Sequence, residues 1–144
     1  LDPAAMAQAF ALNATGPALI AKHVLPLFPR DRRSVFAVLG ARVGSIGDNR
    51  LGGWHAYRAS KAALAMLVRN FAIELARTHP LAIVVGLHPG TVDTTLSAPF
   101  QRNLREGQLS TPAQAAGHLL RVVERLTPAD SGGAYDWRGE RIPA

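Results

Sequence analysis

The chain has 144 residues, a formal net charge of +6 and no cysteine. That length supports one domain with a real core, and the cysteine count excludes disulfides and thiolate catalysis. No apolar run reaches the ~18 residues needed to span a bilayer, and Leu1-Asp2-Pro3 lacks the basic start of a secretory signal, so no membrane partner and a cytoplasmic location are expected.

Only Lys22 and Lys61 among the basic residues are lysines. The arginines are scattered, apart from Arg30, Arg32 and Arg33, and no aromatic residues interleave with them to stack bases, so no nucleic-acid partner is expected. His23, His55, His79, His88 and His118 show no paired ligand spacing, and no metal is expected.

Residues 3–27 predict a helix, favoured by Ala4, Ala5, Ala7 and Ala9 and interrupted at Gly16-Pro17 by a kink or boundary. Residues 34–39 form a short continuous apolar run, which suits a strand buried on both faces. Residues 40–53 are a glycine-rich loop holding Asp48, Asn49 and Arg50. A long helix follows over about 55–77, with Leu64, Leu67, Val68, Phe71 and Leu75 on one face. Pro80 ends it, residues 81–87 make a second buried strand, and His88-Pro89-Gly90 breaks that strand sharply. Residues 92–107 read as irregular or short-helical. Thr111-Pro112-Ala113-Gln114 carries a capping box and a proline at the first helical position, so a helix runs from there to about 126. Residues 132–137 read as a last strand.

Strands alternating with helices predict an α/β fold, a doubly wound parallel sheet with helices on both faces. Three strands are few for such a sheet. With Leu rather than Met at position 1, this predicts one partial domain over 1–144, a piece of something longer.

Tyr57 and Lys61 are four apart near the start of the long helix, which places them on one face about 6 Å apart along the axis. A neighbouring ammonium favours the phenolate, so such a pair can give a proton to a carbonyl or take one from an alcohol. The bare spacing also occurs by chance. Its setting is more specific. The pair follows a buried strand and a glycine-rich loop, and sites in parallel α/β sheets form at the carboxyl ends of strands. Gly40, Gly44 and Gly47 mimic a phosphate-cradling loop, but Ile46 occupies the place of a glycine and no helix is predicted at Asp48, so this is read as an active-site loop.

Asn13 in a helix, Tyr57-Arg58-Ala59-Ser60-Lys61, and Pro89-Gly90 after the next strand stand in the order of the short-chain dehydrogenase/reductase family, which the chain resembles over essentially its whole length. The segments 41–54 and 131–137 resemble its C-factor-like subgroup. The resemblance implies the C-terminal half of a Rossmann-like domain, without the glycine loop that would hold most of the nucleotide. It implies hydride transfer between NAD(P) and a carbonyl/alcohol substrate, with Tyr57 as acid/base. Lys61 would lower the Tyr57 pKa and bond the nicotinamide ribose. Asn13 would hold a relay water. Pro89, Gly90, Val92 and Thr94 would meet the nicotinamide end or the phosphates. The family's serine falls at Ala41; Ser45, 12 residues before Tyr57, either orients the substrate carbonyl or is a loop residue. Pairing of the first and long helices with a second copy would give a homo-oligomer. The alternative is a non-enzymatic interaction or signalling module built on the same fold.

Overall fold

Pro17 has no N–H to offer the carbonyl of Asn13, and this shapes the first helix. In the computed structural model, which describes residues 1–103 and 107–144, α1 (Pro3–Phe10) runs into a π-turn at Ala11–Thr15 and continues as α2 (Gly16–Val24). The Gly16 N–H reaches back five residues to the Ala11 carbonyl. The predicted interruption is thus a widened turn rather than a break. Asp2 caps the start, accepting from the Ala4 and Ala5 amides at 3.1 and 3.4 Å.

Strand β1 (Ser34–Leu39) leads through a 3-10 turn at Arg42–Gly44 to the long helix α3 (His55–Ala76). Strand β2 (Ala82–His88) follows, and all six residues from Ala82 to Leu87 are buried. Helix α4 (Pro112–Arg125) begins with the predicted capping box, Gln114 N to Thr111 Oγ1 at 3.2 Å and Thr111 N to Gln114 Oε1 at 2.9 Å. The last strand of the sheet is Ala134–Asp136. The strand order, Ser34–Leu39, then β2, then Ala134–Asp136, is parallel throughout.

Alternation along β2 divides the core into two layers, because successive strand residues face opposite sides. Ala82 and Val84 pack with Ala21, Leu25, Val68, Ala72 and Leu75 of the first and long helices. Ile83, Val85 and Leu87 pack with Val122 and Leu126 at α4. Both faces of β2 are therefore covered, as expected for a doubly wound fold, whereas β1, expected to be buried on both faces, has no fully buried residue and leaves Ala37 and Leu39 exposed at the edge of the sheet. Leu67 and Phe71, expected on the buried face of α3, are half-buried, and Ala72 is the more enclosed.

The expectation for 92–107 needs correcting at its edges. Thr91–Val92 is a short strand, β3, pairing in parallel with β4 (Leu109–Ser110), and the Ala134–Asp136 strand is hereafter β5. A 3-10 turn at Ala98–Asn103 lies between them; residues 104–106 fall outside the described residues. No helix among the described residues is long and apolar enough to cross a membrane.

Candidate active site

Three consecutive residues in the left-handed region, Gly52, Gly53 and Trp54 (φ +63°, +71° and +46°), turn the loop into α3. Two glycines make that turn affordable. The Arg58 amide then bonds the Trp54 carbonyl at 2.9 Å, so Tyr57 lies in the first turn. Its ring lines an open cavity of about 1050 Å³ at the carboxyl ends of β1 and β2. Gly40, Ala41 and Val43 form one wall, and Pro89, Gly90, Val92 and Thr94 another. Five of the expected site residues thus share one space: Tyr57, Pro89, Gly90, Val92 and Thr94.

Lys61 and Asn13 stand behind that wall. Lys61 lies one turn beyond Tyr57, its ammonium 5.8 Å from the phenol ring centre, and donates to the Leu39 carbonyl at 2.8 Å. Asn13 sits in the π-turn, and its Nδ2 donates to Ser60 Oγ at 3.0 Å. Ser60, fully buried, donates in turn to the Tyr57 carbonyl at 2.9 Å. This serine was not singled out from the sequence. A polar residue on the buried face of α3 was the available signal.

Ser45 is placed differently. It is 8% exposed, its oxygen accepts the Asp48 amide at 3.0 Å, and it is not among the described residues that line the cavity. Ala41 is. Of the two readings left open for Ser45, the geometry favours the loop residue: its hydroxyl closes the turn that shapes the wall. The loop is held on α3 by Gly44, where an added Cβ would stand 2.8 Å from the Lys61 backbone carbon and its Cβ. Arg58 Nη1 donates to the Val43 carbonyl at 3.1 Å, and Arg42 pairs with Asp48 at 2.6 Å. Between Gly47 and His55 no helix begins among the described residues, so the Gly40–Gly47 glycines do not open onto the helix a phosphate loop requires.

Electrostatics depart from the expected pair. Burial pushes the Tyr57 phenol above its ordinary pKa and the Lys61 ammonium below its own. Burial is the cause of both shifts, and the Lys61 ammonium, which donates to the Leu39 carbonyl, brings no opposing shift to Tyr57 in this arrangement. His88, which also lines the cavity, is held below the usual histidine range chiefly by burial, with Asp136 opposing and Arg42 adding.

Gly90 has φ +78°, and a Cβ there would stand 3.0 Å from Trp137 Cδ1, so the Pro89-Gly90 turn closes against Trp137 with no room for a side chain. Among the described residues no group of three His, Asp or Glu side chains could hold a metal ion.

Comparison with known proteins gives a consistent picture. Residues 1–105 match the family profile described as short chain dehydrogenase. The chain is 36% identical over 143 residues to the C-signal of Myxococcus xanthus, covering 99% of this chain and 81% of that protein. It is 37% identical over 121 residues to a 1-hydroxy-2-glutathionyl-2-methyl-3-butene dehydrogenase of a Rhodococcus species, covering 84% of this chain and 50% of that one. Among solved structures, the NADPH-bound carbonyl reductase from chicken fatty liver superposes with a TM-score of 0.84 at 26% identity, over all of this chain and 59% of that one. The chain therefore spans most of the C-signal but half of that dehydrogenase and 59% of that carbonyl reductase.

Proposed function

The chain belongs to the short-chain dehydrogenase/reductase family and has its Rossmann-like fold, and from that premise we propose that it carries the proton-transfer half of an NAD(P)-dependent carbonyl/alcohol oxidoreductase. The observation that carries this reading is one cavity shared by Tyr57 and the Pro89-to-Thr94 turn. A bound nicotinamide would supply or accept the hydride. Pro89 and Gly90 would hold its nicotinamide end, the Val92 backbone and the Thr94 hydroxyl would bond its polar groups, and Lys61 would bond the ribose. Tyr57 gives its proton to the substrate oxygen in reduction and takes it back in oxidation. Tyr57, whose pKa burial raises above the ordinary tyrosine value, holds its proton at neutral pH, the form from which reduction starts. Asn13, whose carbonyl Pro17 cannot bond, holds the water that refills the proton through Lys61. Ser45 shapes the loop rather than touching substrate.

The test is NAD(P)H consumption with a panel of aldehydes and ketones, using the longest natural product that contains this chain. Tyr57→Phe should lower turnover by about 10²- to 10⁴-fold, the usual contribution of a positioned general acid. Unchanged turnover in that variant would remove Tyr57 from the reaction.

A second reading has its own observation. Leu12, Leu19, Ile20, Met66 and Ile73 on the first and long helices are 46–74% exposed. Such apolar surface suits contact with a second copy or another partner. Sedimentation of the protein with Leu12→Glu and Met66→Glu checks it: a dimer should dissociate, and an unchanged mass would place any interface elsewhere.

A further inference from the structure

A second cavity, of about 380 Å³, opens between α4 and the segment after β5. Its floor is apolar and aromatic, with Val122, Leu126, Tyr135 and Trp137. The same lining carries three guanidiniums, Arg121, Arg125 and Arg138, the last of them 4.7 Å from the Trp137 ring centre. Among the described residues none of the three has a carboxylate within ion-pair distance; the ion pairs present join Arg32 to Asp31 and Arg42 to Asp48. Asp130, the carboxylate that lines the cavity, is already engaged by the Thr127 amide and hydroxyl at 2.8 Å each and by the Tyr135 hydroxyl at 3.0 Å. Clustered cations repel one another unless a counter-charge joins them.

His118 adds to the aromatic part of the lining. Its ring lines the same cavity and stacks on Trp137 with centres 5.1 Å apart.

We propose that this cavity binds a small organic anion, a carboxylate or phosphate monoester carried on an apolar body. The guanidiniums take the charged end with charge-assisted hydrogen bonds, and the floor takes the rest. The proposal stands apart from the Tyr57 reading and does not need it. The two sites share a wall, however. Trp137 lines this cavity, and its indole Cδ1 and Nε1 lie 3.0 and 3.1 Å from where a Gly90 Cβ would be, while Gly90 lines the larger cavity. An occupant is therefore reported at Trp137.

The probes are phenyl phosphate and benzoate, with benzyl alcohol and inorganic phosphate as controls. The readout is the indole N–H resonance of Trp137, assigned by its loss in Trp137→Phe, together with titration calorimetry. At least one charged aromatic probe should give a saturable shift, and whichever of the two binds more tightly identifies the head group. Arg121→Gln and Arg125→Gln, both at exposed positions of α4, should each weaken binding by roughly tenfold, the size of a lost charge-assisted bond. Circular dichroism confirms that these variants fold. No saturable shift with either probe, an equal response to benzyl alcohol, or full affinity in both arginine variants would overturn the proposal. Inorganic phosphate binding as tightly as phenyl phosphate would overturn the organic body.

Discussion

Replacing Gly44 by alanine should loosen the active-site loop from α3, and the cost can be worked from the contacts. The new Cβ would stand 2.8 Å from two Lys61 atoms and 3.1 Å from the Ala62 nitrogen. Ordinary contact begins at 3.4 Å, so the loop must retreat by about 0.6 Å (3.4 − 2.8). The obstacles are helix backbone and a Cβ, which have no rotamer to turn into. Overpacking of this kind costs about 1–3 kcal/mol. The same retreat stretches the Arg58–Val43 bond, now 3.1 Å, beyond good hydrogen-bond range. Gly117→Ala is the control with the opposite sign. Gly117 lies inside α4, and its Cβ would meet only Arg121 Nη1 at 3.7 Å, so alanine there should stabilise by about 0.5–1 kcal/mol through helix propensity. Urea unfolding followed by circular dichroism measures both. A Gly44→Ala protein within about 0.5 kcal/mol of the parent would refute the close-contact reasoning, because surface substitutions scatter by that much.

Ser60→Ala should cost about 1–3 kcal/mol, since it removes the group joining Asn13 to the Tyr57 carbonyl and leaves a part-buried amide unpaired. Adding Asn13→Ala should cost less than the sum of the two single changes, and strict additivity would show that the residues are not coupled. Gly90→Ala combines a φ of +78° with the Trp137 contact and should destabilise by about 1–3 kcal/mol; Trp137→Ala in the same chain should recover the crowding part only. The His88 pKa is held low by burial, so the unfolded chain binds more protons between the lowered and the ordinary value. Stability should therefore rise with pH across the window just below the usual histidine range. His88→Gln should flatten that rise in pH-dependent unfolding, and a steeper rise in the variant would reverse the assignment.

Much of the fold could be read directly. The apolar run at Ser34–Leu39, the capping box at Thr111 and the proline after α3 each act within a few residues, where propensity and backbone sterics decide. The β3–β4 pair was not legible. Two-residue strands carry no alternation, and their pairing brings Thr91 to Leu109 across the intervening chain. Within the site, the Tyr57–Lys61 spacing was legible because a helix turns every 3.6 residues. Whether Ala41 or Ser45 faces the cavity was not, because the 3-10 turn at Arg42–Gly44 aims them.

The Tyr57–Lys61 spacing, and the order of elements that sets Tyr57 at one end of a sheet, are thus local properties, and the sequence by itself determined them. Tertiary structure decided how they are set. Burial, which depends on every neighbour, raises Tyr57 and lowers Lys61. Ser60 finds Asn13 at a distance of 47 residues along the chain, and Trp137 comes to lie under Gly90. These are contacts between elements far apart in sequence, and only the packed fold selects them.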